Sequence, residues 1–194
     1  MKVLVVSFLL LQLSACASLV NKQSSSSSDF SQVNNNINVS AQRNWGVVGR
    51  VSIKQENNAW LANIDWQHDE VVDELVISAS LSGVLANIRY QEKQIIVETQ
   101  DGVQVLKNND ELQRVVGFNP PINYLKYWAR GLVVPNVELL NDTGLVKERR
   151  EFEQAGWRVQ LSKYREVSDI WLPHSVSVKN KRLNIKLAIE QWLK

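Results

Sequence analysis

The chain has 194 residues, with 22 Lys and Arg against 20 Asp and Glu, which gives a formal net charge of +2. A balance this even argues against a nucleic-acid partner, which needs a basic stripe, and against an electrostatic grip on anionic lipid head groups. Cys16 is the only cysteine, so no disulfide can form within the chain and packing has to stabilise the fold.

The N-terminus reads as a bacterial lipoprotein signal. Lys2 is followed by an apolar run over residues 3–11, and Leu13-Ser14-Ala15-Cys16 forms a lipobox. The run is shorter than the roughly 20 apolar residues that a membrane span needs. We predict that residues 1–15 are a signal peptide cleaved before Cys16, and that Cys16 is the lipid-attachment residue. The alternative is an ordinary secretory signal with an incidental cysteine.

A polar tract follows the lipobox. It contains five serines over residues 24–28 and three asparagines over residues 34–36. Such a composition buries too little apolar area to offset the entropy of ordering. Residues 16–43 are therefore predicted to be a lipidated N-terminus and flexible tether, and a simple spacer is an equally open interpretation.

From Trp45 onward the pattern is that of short strands separated by turns. Apolar and polar residues alternate over residues 49–54, 60–66, 74–79, 84–90 and 94–99. Two short helices are predicted, over residues 109–116 and 122–130, with Pro120-Pro121 between them. Three more strand-like pieces follow, over residues 156–164, 170–178 and 182–192. The fold predicted for residues 44–194 is one mainly β domain: an incomplete antiparallel β-barrel with a helical insertion that acts as a lid.

The sequence contains no convincing catalytic or metal-binding constellation. His68 and His174 are the only histidines, and neither has a second ligand at metal spacing. A cluster at His68-Asp69-Glu70 is better explained as a solvated hairpin turn. No serine elbow and no glycine-rich phosphate loop occur. We therefore predict no catalytic residues, no metal, no cofactor and no enzymatic activity.

Two features bear on function without deciding it. The inner face of a small barrel is either filled with side chains or hollow, and the sequence alone leaves both open. Leu81 lies in the turn Ser80-Leu81-Ser82-Gly83, where hairpins normally keep polar residues. The leucine either folds back onto the sheet or forms an apolar finger that dips into a bilayer.

Taken in order, these motifs resemble the LolB family of outer-membrane lipoprotein localisation factors. The likeness runs from about Trp45 to Trp192. It rests on the lipobox and on the following features: the Gly49–Ile53 and Trp60–Trp66 strands, the Leu81 turn, Gly117-Phe118-Asn119-Pro120-Pro121, Leu125, Trp128, Gly131-Leu132 and the Leu183–Trp192 strand. This chain departs from the Pro-Leu-Gly turn common in the family.

The resemblance implies a LolA/LolB-like fold whose concave apolar face holds acyl chains. It implies a monomeric receptor, anchored by lipid in the outer membrane and facing the periplasm. This receptor takes acylated lipoprotein cargo from the periplasmic carrier LolA and inserts it among the outer-membrane lipids, with Leu81 as the membrane-insertion residue. The residues then expected to line the acyl-chain cavity are Ile64, Trp66, Leu75, Ile77, Ile95, Val97, Leu125 and Trp128. The alternative is a lipid-anchored structural or assembly subunit of an outer-membrane complex, with a packed core.

Overall fold

The computed structural model describes residues 35–91 and 94–193. The predicted signal peptide, Cys16 and most of the predicted tether lie outside these residues. Within the described ranges, no helix is both long enough and apolar enough to cross a membrane.

The described residues form a mainly β fold with short helices. The helices are α1 (residues 35–41), α2 (Asn109–Val116) and α3 (Ile122–Trp128). The strands are β1 (Asn44–Gln55), β2 (Asn58–Asp69), β3 (Val72–Ala79), β4 (Gly83–Gln91), β5 (Gln94–Thr99), β6 (Gly102–Leu106), β7 (Leu139–Leu140), β8 (Arg149–Gln154), β9 (Trp157–Ser162), β10 (Arg165–Val167), β11 (Ile170–Leu172), β12 (Ser175–Lys179) and β13 (Leu183–Leu193).

Eleven of these strands form one antiparallel sheet, in the order β6-β5-β4-β3-β2-β1-β13-β12-β9-β8-β7. Strands β10 and β11 form a separate hairpin. The two ends of the large sheet, β6 and β7, do not pair with each other in the part of the chain that the structure describes. This open sheet with its helical insertion confirms the predicted incomplete barrel.

A single row of side chains shows how the sheet acquires its concave face. Val47, Trp66, Leu75, Ile88 and Val97 are partners in register across β1 to β5, and all five are buried. Because side chains alternate between faces, one such row assigns the inner face of all five strands. The apolar alternation in the sequence is therefore the cause of the concave face.

Gly49 is required where β1 pairs with β13. The register of this pair shifts between Val48 and Gly49, which is the mark of a β-bulge. A Cβ atom at position 49 would lie 2.1 Å from the carbonyl oxygen of Ala188. No side chain fits there, so this glycine permits the two central strands to approach each other.

Local sequence explains both ends of α2. The Asn108 side-chain oxygen accepts from the Glu111 backbone N–H at 3.0 Å, and Glu111 Oε2 accepts from the Lys107 N–H at 2.8 Å. The first bond satisfies an N–H group in the first turn of the helix, and the second joins the residue before the cap to the same turn. Gly117 ends the helix with φ of 88°, a left-handed conformation typical of glycine. After Pro120 and Pro121, α3 begins and buries Ile122, Leu125 and Trp128.

Residues 35–41, which the sequence assigns to the tether, form α1 and pack on the domain. Val39 is fully buried, and Arg130 Nη1 donates to the carbonyl oxygens of Val39 and Gln42 at 3.3 and 3.1 Å. The guanidinium also lies 5.3 Å from the centre of the Trp45 ring. These contacts depend on Arg130, which is 91 residues from Val39 in sequence, so local composition could not reveal them.

Candidate functional site

An apolar cavity of about 470 Å³ lies at one end of the concave face. Strands β1 to β5 form its wall, and the C-terminal end of α2 with the following Phe118 covers it. With the exception of Thr99, all of its lining residues are apolar: Val51, Ile53, Ala59, Trp60, Leu61, Ala62, Ile77, Leu85, Ala86, Ile88, Thr99, Val115, Val116 and Phe118. A space of this size and composition suits an apolar ligand.

Small side chains on the inner face help to create this space. Ala62 is paired with Val51, and Ala86 is paired with Ile77, so two inward positions of the wall carry only a methyl group. Trp60 and Phe118 bound the cavity on the helical side, with ring centroids 5.9 Å apart. The alanines leave room that larger residues at the same positions would fill.

The structure brings all eight predicted cavity residues to the concave side. Ile77 lines the cavity itself. The other seven are buried in the packed core farther along the same face, beneath α2 and α3: Ile64, Trp66, Leu75, Ile95, Val97, Leu125 and Trp128. Whether acyl chains reach these residues stays a prediction.

Sequence reasoning missed most of the residues that line the cavity. Ala62 and Ala86 could have been identified from the sequence, since small residues at inward positions of a strand leave empty space next to the sheet. Val115 and Val116 follow Leu112 at helical spacing, which marks the face of α2 that turns towards the sheet.

The opposite end of the concave face is polar and centred on Asp73, which is buried. Its Oδ1 accepts from Trp66 Nε1 at 3.0 Å and lies 2.8 Å from His68 Nδ1. Lys126 Nζ of α3 lies 3.9 Å from Oδ2. Burial and the charge of Asp73 both raise the pKa of the nearby Tyr90 hydroxyl.

His68 therefore differs from its predicted setting in a solvated turn. Its side chain is mostly buried and pairs with Asp73 across the β2–β3 hairpin, rather than with Asp69 or Glu70. The cause is the alternation of the strand, because His68 and Trp66 both point to the inner face. The arrangement ties α3 to the sheet through Lys126 and gives the ring a structural role.

Leu81 projects fully into solvent from the turn between β3 and β4. Ala79 pairs with Gly83, and Gly83 adopts φ of +71°, so three residues close the hairpin and Leu81 is at its tip. Of the two possibilities left by the sequence, the structure has the exposed leucine. Its neighbours Val84 and Leu85 are exposed too.

The Leu81 turn and the cavity lie at the same end of the sheet. The two strands that the turn joins carry Ile77 and Ala86, which line the cavity. Leu61 and Leu85 line the same cavity and are also partly open to solvent. An apolar surface thus runs from the exposed tip towards the apolar interior.

Comparison with known proteins identifies a related family. The family model described as "Outer membrane lipoprotein LolB" matches residues 43–192. This range covers β1 to β12 and all of β13 except Leu193.

Individual relatives agree with the family match. The chain is 30% identical over 158 residues to an outer-membrane lipoprotein LolB of Marinomonas sp. (strain MWYL1), covering 79% of this chain and 82% of the relative. It is 30% identical over 146 residues to that of Azoarcus sp. (strain BH72), covering 74% and 75%. Among solved structures, a LolA superfamily protein from Nitrosomonas europaea aligns with a TM-score of 0.49 and 9% identity, over 84% of this chain and 92% of that one.

Proposed function

Because the chain belongs to the LolB family of outer-membrane lipoproteins, we propose that it is a receptor for acylated lipoproteins delivered by the periplasmic carrier LolA. The family comprises lipoprotein localisation factors of the outer membrane and not enzymes. In the proposed cycle, the acyl chains of the cargo enter the apolar cavity and then pass into the inner leaflet of the outer membrane.

The observation that carries this proposal is the position of the cavity beside Leu81. A cavity of about 470 Å³ with an almost wholly apolar lining suits hydrocarbon chains. A fully exposed leucine at the same end provides a contact with the membrane into which the chains would pass. Uptake and release of the acyl chains would then occur at the same end of the incomplete barrel.

Differences in burial are sufficient to drive the transfer. Each buried CH₂ group contributes about 0.8 kcal/mol, so a small difference in how completely two cavities enclose an acyl chain outweighs thermal energy. Cargo moves towards the site with the greater affinity, without a nucleotide. Release is downhill because a bilayer surrounds the chains completely.

The lipid anchor and Leu81 have different tasks in this proposal. Acyl chains on Cys16 hold the protein at the membrane, since two chains already give stable attachment. Burying Leu81 contributes about 1.5–3 kcal/mol. That is too little to anchor a protein, but enough to orient one that is already tethered.

The alternative, a lipid-anchored assembly subunit with a packed core, has less support. Seven of the eight residues first expected in the cavity do pack in the core. The apolar space bounded by Ala62, Ala86 and α2 nevertheless favours a ligand-binding protein. The two functions differ in one property, which is the uptake of an acyl chain.

A transfer experiment separates them. The chain without residues 1–15 and with Cys16→Ala is mixed with LolA loaded with an acylated lipoprotein, in the absence of ATP. Movement of cargo onto this chain supports the receptor. Cargo that stays on a carrier able to deliver to another LolB protein rules the receptor out.

A cavity-filling variant tests whether this space is the one used. Ala62→Phe places a ring in the cavity, and Ala188→Phe places the same ring at an exposed position on the outer face of β13. We expect the first variant to lose cargo uptake and the second to retain it. Equal uptake by both variants would assign the acyl chains to another part of the protein.

A further inference from the structure

We propose that four cations at the same end of the sheet as Leu81 bind anionic phospholipid head groups. The four are Lys54, Lys179, Lys181 and Arg182, here called the basic end. They are all exposed. The inference rests on the membrane attachment assumed in the proposed function, and it adds a second contact, of opposite chemistry to Leu81.

Strand pairing brings the four residues together. Lys54 on β1 and Lys179 on β12 are both partners of Asn184 on β13, so they lie in one row across three adjacent strands. Lys181 and Arg182 occupy the turn that joins β12 to β13. The row lies on the outer face, because the preceding row, which contains Ile53 and Ile185, is buried.

The basic end and Leu81 are on neighbouring hairpins. The turn at residues 56–57 joins β1 to β2, the Leu81 turn joins β3 to β4, and the turn at residues 180–182 joins β12 to β13. In an antiparallel sheet with the order β4-β3-β2-β1-β13-β12, these three turns lie at the same end. Cations and an apolar tip thus face in one direction.

These cations lack the partners that nearby arginines have. Arg50 pairs with Glu190 at 2.9 Å, and Arg158 pairs with Glu153 at 3.2 Å. Within residues 35–91 and 94–193, no ion pair joins any member of the basic end to a carboxylate. Like charges gathered at one end of the sheet repel each other, so the fold itself gains nothing from this grouping.

A lipid surface fits these residues by charge and by position. Lys and Arg beside exposed apolar side chains form the combination that interfacial proteins present to a membrane. Each such cation near an anionic leaflet adds to the attraction. The nearly neutral net charge of the chain conceals this feature, because the sheet brings Lys54 to the three cations that lie close together near residue 180.

The test uses the lipidated full-length protein in vesicles. With Cys16 occupied by lipid, Asn57→Cys supplies a single free thiol in the exposed turn between Leu81 and the basic end, and an environment-sensitive dye is attached there. Vesicles are made of phosphatidylcholine alone, or with about one third phosphatidylglycerol. We expect dye emission to indicate membrane contact on the anionic vesicles, and this contact to be lost near 1 M salt, where the Debye length is about 3 Å.

Two matched sets of substitutions show whether membrane contact depends on the basic end or on the total number of cations. The test variant carries K54Q, K179Q, K181Q and R182Q. The control carries K107Q, K147Q, K163Q and R114Q, which neutralises equally many exposed cations elsewhere on the domain. We expect the ratio of domains in contact with the membrane to domains without contact to fall about tenfold or more in the test variant. In the control this ratio should change by less than about twofold.

Three results would overturn the proposal. They are equal contact on neutral and anionic vesicles, an equal loss in the two variants, and unchanged contact in a test variant that takes less cargo from loaded LolA. The last would assign the basic end to an acidic protein surface. The vesicle assay contains neither carrier nor cargo, so failure of the proposed handover would leave its outcome unaffected.

Discussion

Trp128 donates the hydrogen of its indole Nε1 to Gln154 Oε1 across 3.0 Å, and both side chains are buried. The same oxygen accepts from the Val134 N–H at 2.9 Å. The Gln154 Nε2 group donates to the carbonyl oxygens of Val134 and Val137 at 2.9 and 3.0 Å. One amide therefore joins α3, the loop that follows it and β8, and it holds the α3 part of the lid to the sheet.

Replacing Gln154 by leucine should strongly destabilise the fold. The variant leaves the Trp128 N–H and the Val134 N–H and carbonyl buried without partners, and each such group costs about 1–3 kcal/mol. We expect the free energy of unfolding, measured in urea, to fall by about 3 kcal/mol or more. Gln113→Leu, on the exposed side of α2, should change it by less than about 0.5 kcal/mol. Similar losses in both variants would contradict the role assigned to Gln154.

His174 should make stability depend on pH. Burial lowers the pKa of His174, the Leu172 carbonyl bound to Nδ1 opposes this, and the charge of Arg165 lowers the pKa further. Between the folded-state pKa and the unfolded value of about 6.5, the unfolded chain binds more protons. The contribution of neutral His174 to the free energy of unfolding is therefore fully present above about pH 6.5, and it declines as the pH falls below this value.

We expect His174→Gln to flatten this decline. Urea unfolding of the wild-type protein and the variant at several pH values between roughly 5 and 7.5 gives the two slopes. Parallel curves would show that other groups cause the acid sensitivity.

The concave face was predictable because one local pattern specifies it. Trp60, Ala62, Ile64 and Trp66 alternate with polar or exposed residues, and the same period recurs in the next strands. The cavity within that face was not predictable. Its location depends on where α2 lies across the sheet, and α2 owes its position to tertiary contacts of Leu112, Val115 and Val116.

Strand β8 shows the second limit of sequence reasoning. Its sequence, Arg-Arg-Glu-Phe-Glu-Gln, contains one apolar residue, and a charged run such as residues 147–151 is typical of a solvated loop or of the end of a hairpin. Residues 149–151 belong to a strand next to β9. Its inward polar groups are satisfied by partners outside the strand: Arg150 pairs with Asp142 at 2.7 Å, and Gln154 binds the loop after α3. Hydrogen bonds to such partners leave no periodic signal in the sequence of the strand.

Leu81→Glu should separate delivery from uptake. Leu81 is fully exposed, so we expect its loss to change the free energy of unfolding by less than about 0.5 kcal/mol. Acceptance of cargo from LolA should be retained, and transfer to liposomes should be lost, because a carboxylate does not enter the bilayer. Val103→Glu, at another exposed apolar position on edge strand β6, should leave both steps intact. Normal delivery by the Leu81 variant would exclude the turn from the transfer step.

The start of the described chain and Leu81 are at opposite ends of the domain. The Arg43 carbonyl oxygen accepts from the Glu70 N–H in the turn that begins β3, whereas Leu81 follows the end of β3. The eight residues of β3 together with the turn residues on either side of it span roughly 30 Å. Asn35 is attached at the same end as Arg43, since its side chain forms two hydrogen bonds with the Trp171 backbone.

The chain between Cys16 and Asn35 must therefore bridge about 30 Å if the domain stands with Leu81 in the membrane. About 19 residue steps extend at most roughly 65 Å, and a flexible chain of this length has a mean span of roughly 24 Å. The connection is long enough, but without much excess. Deleting residues 20–31 leaves an extension of roughly 25 Å at most, which is too short.

We expect this deletion to abolish the contact of Leu81 with the membrane while lipid attachment persists. A variant in which residues 20–31 are replaced by an equally long Gly-Ser sequence should behave as wild type, because length and not sequence is limiting. A spin label at position 81, in lipidated protein on vesicles, measures the depth of the turn. If the label stays inserted after the deletion, the domain lies with its strands along the membrane surface, and an upright orientation is excluded.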